Sequence, residues 1–473
     1  VKLGECYTKL AQSAKASAAY QNAIRYGQND STLHLRLARS LHAEGKFAAA
    51  INEYETYLTF DPDNELAING LAGALAARDK KGGTRYVVKT NKLINSRRSE
   101  FAPQYLERSN QDQLYFTTTN EKVTGNDKSE ITGMKKSDIW MMKKDERGQW
   151  TKPEPAEGEL NSEMDEGIVS FDPTGTTMYL TMARRAPNAP TGVEIYTSQR
   201  SDASWSKPQK FEITSDTLSS YGHPAVSPDG TWLYFTSDMP GGSGGKDIWR
   251  INLKERGGSL ENMGEWINTP GDEMFPYVRT DSVLYFSSNG RTGYGGLDIY
   301  RAELTPSGGW NVTNMGTPIN SAGDDFGITF GEGESGFFSS NRGDAKGYDH
   351  IYSFELPDLK INIAGWVLDR DEEPVPNAVI RIIGNDGSNQ KQLAKPDGTF
   401  SFPLNRGVSY VMLAGAKGYL NSRQEFTSDT TETDAEYGID FILASVNKPV
   451  VIDNIFYDFD KATLRPESKA ALD

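Results

Sequence analysis

The feature that most constrains the fold is a phrase repeated five times along the middle of the chain: an aromatic strand, a polar turn, then a strand of acid, aliphatic and aromatic residues. LYFTT at Leu114 is followed by DIW at Asp138, MYLTM at Met178 by EIY at Glu194, and LYFTS at Leu233 by DIW at Asp247. LYFSS at Leu284 leads to DIY at Asp298, and FFSSN at Phe337 to DHIY at Asp349. The last three acids are spaced 51 residues apart, and the earlier spacings are longer because loops are inserted. Between the cores lie Trp150, Trp205, Trp266 and Trp310, each marking a further strand, and phrases such as NTPGDEMFP and NSAGDDFG. Each unit therefore holds about four short strands, and such a unit recurring about every 50 residues is the pattern of β-propeller blades. The turns DPTG at Asp172–Gly175 and SPDG at Ser227–Gly230 supply the Pro and Gly that tight hairpins need.

A ring of blades must close. Thr84–Pro103 parallels Asn311–Gly327, so Tyr86–Lys89 can be an outer strand donated to the last blade. The expectation is a five-bladed β-propeller over residues 80–357, with six blades as the alternative if the insertion Asn120–Lys136 hides extra strands. The units resemble the PD40 or TolB-type WD40-like repeats, over nearly the whole of this segment.

Residues 1–79 repeat with a period of 34. Leu3, Gly4 and Tyr7 recur as Leu37, Ala38 and Leu41, then as Leu71, Ala72 and Leu75; Ala16, Tyr20 and Ala23 map onto Ala50, Tyr54 and Tyr57, and Pro62 closes the unit. Small residues let paired helices approach while the tyrosines fill the gap between repeats. The pattern resembles tetratricopeptide repeats, with Glu65–Arg78 as the terminal cap. That resemblance implies a concave protein-binding face; a solvated spacer is the other reading.

After Leu356 a single alternating strand at Ile361, Ile363, Gly365 and Val367 begins a small antiparallel β-sandwich, continued by Ala378–Ile383, the PDG turn at Pro396–Gly398, Phe400–Phe402 and Tyr410–Tyr419. Residues 358–445 resemble the carboxypeptidase regulatory-like domain, which is not itself catalytic. In 446–473, Ile455, Tyr457 and Phe459 alternate as a strand and Pro466 suits the first turn of a helix. IFYDFDKATLRPESKAALD resembles the opening of an OmpA-like domain, here a truncated α/β unit. The resemblance implies peptidoglycan binding through an Asp and an Arg that lie beyond Asp473, so no peptidoglycan-binding residue is assigned. The expected fold class is thus a multidomain α plus all-β chain.

No catalytic, cofactor-binding or metal residue is assigned, and no cofactor is expected. GGSGG at Gly241–Gly245 matches the G-x-S-x-G nucleophile elbow in form, but that elbow needs a strand before Ser243 and a helix after it. Here a strand, KDIW, follows, and the matching loop of the next unit, GYGG at Gly293–Gly296, has no serine. The four histidines, His34, His42, His223 and His350, show no metal-ligand spacing. Asp138, Glu194, Asp247, Asp298 and Asp349 are related by the repeat and are expected to hold turns. With 50 Lys+Arg against 65 Asp+Glu the net charge is -15, and no basic cluster invites nucleic acid. No run approaches the ~20 apolar residues of a membrane span. The single Cys6 excludes an internal disulfide and is expected to be a buried thiol.

The order of modules resembles the PorE type of envelope protein associated with type 9 secretion in Bacteroidetes-like bacteria. It implies a non-enzymatic periplasmic scaffold tethering an outer-membrane secretion assembly to peptidoglycan, with any signal or lipid anchor upstream of Val1. An envelope sensor or glycan- or peptide-binding propeller is the alternative, and a propeller-type serine hydrolase a further one. The repeat-turn reading of Ser243 predicts no labelling of the purified chain by a fluorophosphonate probe; labelling abolished by Ser243→Ala would reverse it.

Overall fold

Consecutive apolar residues in a strand mean that both faces of its sheet are covered, and the recurring LYF phrases are strands of this kind. The structure, a computed structural model, describes residues 1–106, 110–125, 127–184, 190–202, 204–255, 258–447, 455–458 and 460–468. Two compact units are formed, Val1–Pro357 and Asp358–Asp473.

The first unit is built around a ring of five antiparallel sheets. The first sheet is Glu100–Tyr105, Gln113–Thr118, Asp138–Lys143 and Glu154–Pro155; the second is Glu166–Phe171, Thr177–Ala183, Val193–Ser201 and Gln209–Lys210, with Ser204–Trp205 paired to its third strand. The third is Tyr221–Val226, Trp232–Ser237, Asp247–Asn252 and Leu260–Asn262, and the fourth is Glu273–Thr280, Val283–Ser288, Asp298–Leu304 and Trp310–Asn314. The fifth takes Asp325–Phe330, Ser335–Ser340 and His350–Glu355, and its outer strand, Val87–Thr90, comes from before the first sheet. Val87 lies opposite Glu355 and Thr90 opposite Tyr352, one residue further along than the strand expected at Tyr86–Lys89. The first strands touch in succession around the axis, and that of the fifth sheet meets that of the first.

The second strands carry the core. Phe116, Phe235, Phe286 and Phe338 are no more than 2% exposed. Tyr115 packs edge-on against Phe171 and Trp205 of the second sheet, while its neighbours Leu114 and Phe116 join Phe337 and Ile351 of the fifth. Each sheet is thus sandwiched between two others, which is why its central strand is apolar at successive positions.

Before the ring come five helices, α1 Lys2–Lys9, α2 Ser13–Arg25, α3 Thr32–Ala43, α4 Phe47–Leu58 and α5 Glu65–Arg78. Each packs on the next through a shared core that includes Ala16, Tyr20, Leu37, Ala38, Ala50 and Tyr54. The Asn64 side chain accepts from the Ala67 N–H and starts α5. This helix then lies against the fourth sheet: Asn69 Nδ2 donates to the Gly290 carbonyl at 2.9 Å, Gly73 abuts Gly293, and the Tyr294 hydroxyl donates to the Lys81 carbonyl at 2.9 Å.

The expected fold class is corrected by this arrangement. The protein is mostly β-sheet; its helices are short, 8 to 14 residues, and they belong to the same compact unit as the ring instead of forming a separate tetratricopeptide domain. The 34-residue spacing reported helix-on-helix packing, and could not show that the last helix spends a face on the sheets. Nor do the described residues past 454 form an α/β domain: they hold one isolated bridge, Tyr457 with Leu464, and a helical turn at 466–468. Phe459 lies outside the described residues. Two smaller expectations also change. Cys6 is exposed, because α1 turns Gly4 inward, and Trp266 sits in a turn, 64% exposed, instead of in a strand.

The second unit stacks two sheets over one core. One sheet is Asn389–Leu393, Val379–Gly384, Ser409–Gly415 and Ser422–Thr427, wholly antiparallel. In the other, Ile361–Asp369 pairs antiparallel with Thr399–Pro403 but parallel with Ala435–Gly438 and Phe441–Leu443, so the expected all-antiparallel sandwich is mixed. Its core includes Ile363, Val367, Ile380, Phe400, Met412 and Phe441, all buried.

Removing the Phe286 ring should cost about 3–5 kcal/mol, whereas Phe60→Ala, on an exposed ring, should change stability by less than about 0.5 kcal/mol. Urea unfolding of both variants against the parent measures the difference.

Candidate functional site

A ring of this kind offers chemistry in three places: the joints between sheets, the axis and the loops at the rims. Each joint is held from the segment that leads into the next sheet. Asn161 clasps the backbone of Ile139, accepting its N–H at 2.8 Å and donating to its carbonyl at 2.9 Å. Asn268 does the same to Ile248, Asn320 to Ile299, and Asn95 to Ile351, all within 2.8–3.0 Å. A primary amide has the donor and acceptor of a peptide group, so it can stand in for a missing strand partner. At the joint from the second sheet to the third no asparagine does this among the described residues; there the Ile195 carbonyl accepts the Phe211 N–H at 2.9 Å, a backbone bond that Ile139, Ile248, Ile299 and Ile351 also make, with Ala156, Met263, Met315 and Asn91.

A few residues after each asparagine the first strand opens on a buried acid, Glu100, Glu166, Glu273 or Asp325, all no more than 1% exposed; the third sheet has Tyr221 there. Burial pushes all four carboxyls above their usual range. Their partners are short-range: Thr269 gives its N–H and hydroxyl to Glu273, and Ser96 and Ser321 do likewise for Glu100 and Asp325. These are structural anchors that the sequence analysis does not single out, although an N-[ST] pair, five and four residues earlier, marks each one.

The axis is defined by a bulge in every first strand. Ala102, Ile168, His223, Phe275 and Gly327 occupy the same place in the five sheets, with φ of 51°, 47°, 52°, 54° and 61°. Such a conformation is unfavourable for side chains bearing a Cβ, above all for Ile168. Hydroxyls of the adjoining sheet hold three of them: Ile168 N–H donates to Thr117, His223 N–H to Thr181 and Ala102 N–H to Ser339, at 2.8–3.0 Å. The Phe275 N–H turns instead to His223 Nδ1 at 3.3 Å. His223 stacks on Phe275 with ring centroids 4.0 Å apart, and Phe275 lies 4.4 Å from Phe326. The cavity left on the axis is about 30 Å³, room for one or two waters and far below the few hundred Å³ of a small-molecule site. A wider groove of about 350 Å³ separates the helices from the ring, with Ser13, Glu44, Gly323, Asn341 and Asp344 in its walls.

The residues singled out from the sequence are scattered. Ser243 is in a rim loop, its N–H donating to Asp247 Oδ2 at 2.6 Å, and the strand Asp247–Asn252 follows it with no helix. Asp138, Asp247 and Asp298 do accept from loop N–H groups, those of Thr124, Ser243 and Tyr294. Glu194 meets Arg184 and Lys210 instead, and Asp349 is tied through its backbone to Ser99 and Glu100. His34 faces Glu53 and His42 faces Tyr54 within the helices, and His350 lies on a strand near Asp344. Among the described residues no cluster of three or more His, Cys, Asp or Glu could hold a metal, and no helix is long and apolar enough to cross a membrane.

No protein-family model and no curated protein sequence matches the chain. Similar solved structures include a hydroxyquinol 1,2-dioxygenase from Pseudomonas putida DLL-E4, 13% identical over 19% of this chain and 58% of that one, with a TM-score of 0.15. A puromycin-hydrolyzing peptidase of Mycobacterium tuberculosis is 12% identical over 59% of this chain and 39% of that one, at a TM-score of 0.29. An α-L-arabinofuranosidase from Lactobacillus brevis is 12% identical over 45% and 75%, also at 0.29. The chain spans 54–61% of the length of the first three dioxygenases it matches. At these TM-scores the likenesses carry no argument about activity.

Burial, helped by the charge of Lys246, pushes His223 down to about 3; the residue lines the narrow axial cavity. In the unfolded chain a histidine titrates near 6.5. Below that value the unfolded state takes up a proton that the folded state refuses, so stability falls with pH, by up to about 1.4 kcal/mol per unit at this site. Buried His42 adds a slope of the same sign. Stability of His223→Gln relative to the parent should therefore improve between pH 6.5 and 5, as measured by urea unfolding at each pH.

Proposed function

We propose that the chain is a non-enzymatic scaffold of a bacterial envelope, periplasmic, that ties an outer-membrane secretion assembly to peptidoglycan. The observation that carries the non-enzymatic part is the closed axis: an aromatic stack of His223, Phe275 and Phe326 occupies the place where a ring of sheets would hold a small substrate. The repeated acids are engaged in turns and joints, and the strongest nucleophile motif lies in a rim loop. What remains for binding is the outside. Tyr26 and Phe60, 34 residues apart and 78% and 61% exposed, project from equivalent ends of α2 and α4, as protein-binding aromatics do. The tether to the wall rests on the sequence resemblance of Ile455–Asp473 to an OmpA-like opening, and the secretion assignment on the resemblance of the repeat units, the sandwich and that segment to PorE-type envelope proteins. A peptide-binding role is the second reading, favoured by the groove between helices and ring, whose volume falls within the range of ligand sites.

Photo-crosslinking groups placed at Tyr26 and Phe60 in intact envelopes should trap a defined outer-membrane or periplasmic protein, and Tyr26→Ala with Phe60→Ala should weaken its co-purification at least tenfold, about 1.4 kcal/mol. Crosslinks confined to this chain, with undiminished co-purification of envelope proteins by the double variant, would remove the helices from the scaffold's contacts.

A further inference from the structure

The four buried acids of the ring are not equivalent. In register opposite Glu100, Glu273 and Asp325 stand Thr118, Ser288 and Ser340. Thr118 donates to Glu100 at 3.0 Å, Ser288 donates to Glu273 at 2.6 Å, and Ser340 bonds Asp325, which also receives the Arg342 guanidinium. Opposite Glu166 stands Met182, which has no proton to give. Ser162 serves Glu166 Oε1, while Oε2 is buried with no hydrogen-bond partner among the described residues. Across the joint, Asp138 of the first sheet likewise has a buried oxygen, Oδ1, without a partner, and the Glu166 N–H donates to the Ser137 carbonyl next to it at 3.0 Å. The charges that act on Glu166 are acidic, Asp138 and Asp165; Lys135, which acts on Asp138, is turned to the Glu121 carbonyl, and Lys136 to the Glu163 carbonyl. Arg184, which has the place in its sheet that Arg342 has beside Asp325, is turned instead to Glu194 and to the carbonyls of Leu218 and Ser219.

We propose that the joint between the first and second sheets is a proton-binding switch, in which Glu166 is neutral while the ring is tight and sheds its proton to loosen it. A carboxylate there would be a dry charge beside Asp138, met among the described residues by the hydroxyl and N–H of Ser162 alone, which is costly; a carboxylic acid carries its own proton where Met182 offers none. Burial raises the Glu166 carboxyl to about 7. The sign follows: the folded value lies above that of the unfolded chain, so the stabilisation is complete below the unfolded value and is lost as pH rises through about 7. The other three joints, with a hydroxyl opposite the acid, lack this device.

The test uses the whole chain. Hydrogen exchange of the strand Glu166–Phe171, corrected for its intrinsic pH dependence, is expected to speed up by about tenfold per pH unit above the midpoint, while the strand Glu273–Thr280 stays protected. Glu166→Gln should abolish that dependence, and Met182→Thr, which restores the hydroxyl, should move the midpoint down by at least one pH unit. Isotope-edited infrared titration of the Glu carboxyls, assigned by the Glu166→Gln variant, should show a protonated acid at pH 6 that is lost in the variant. A Glu166 carboxyl ionised throughout pH 5–8, or an exchange profile unchanged in Glu166→Gln, would overturn the proposal.

Discussion

The ring depends on one substitution of hydrogen-bonding groups: a side-chain amide takes the place of a strand. Third strands of the sheets would otherwise leave the backbone N–H groups of Ile139, Ile248, Ile299 and Ile351 buried without partners, at about 1–3 kcal/mol for each; their carbonyls already accept from the backbone N–H groups of Ala156, Met263, Met315 and Asn91. Asn161, Asn268, Asn320 and Asn95 bond both groups at once and, because each belongs to the segment entering the next sheet, fix the spacing between neighbours. Sheet-to-sheet packing of Tyr115, Phe116 and their equivalents can then be tight on both faces. The buried acids are a second layer of the same device, drawing in the loop that the asparagine has positioned.

Closure and bulges make the ring self-blocking. Bringing five first strands to a common axis leaves little room, and the left-handed bulge at Ala102, Ile168, His223, Phe275 and Gly327 turns each strand where it meets its neighbour. At Ala102, Ile168 and His223 the backbone strain is held in place by a hydroxyl from the adjoining sheet, so one sheet stabilises the irregularity of another. The equivalent hydroxyls of Thr236 and Ser287 are buried without a hydrogen-bond partner among the described residues; at Thr236 the expected N–H has turned to His223.

Much of the ring was legible because its determinants are local and repeated. The five aromatic cores, the acids that follow them and the outer strand near Tyr86 are found close to where their spacing placed them. What escaped has a common cause. The axial residues share a backbone angle and not a side-chain type, so alanine, isoleucine, histidine, phenylalanine and glycine showed no motif. Trp266 has the spacing of a strand residue but follows Gly264, whose positive φ starts a turn. The parallel pairings of Ile361–Asp369 join residues more than seventy positions apart, beyond any local period. The helices illustrate the opposite error: a 34-residue period in the sequence points to a tetratricopeptide domain, whereas the five short helices belong to the same compact unit as the sheets, on which the last of them rests.

The outer strand that completes the fifth sheet also decides how the unit would bear a mechanical load. Val87 and Glu355 are paired at one end of a four-residue antiparallel ladder, and the chain leaves toward the helices from the first and toward the second unit from the other. A pull between those two exits therefore acts on a single pair at a time, peeling the ladder open instead of shearing all of its bonds together. The ring would yield first at its own seam, with the four remaining sheets still intact behind it.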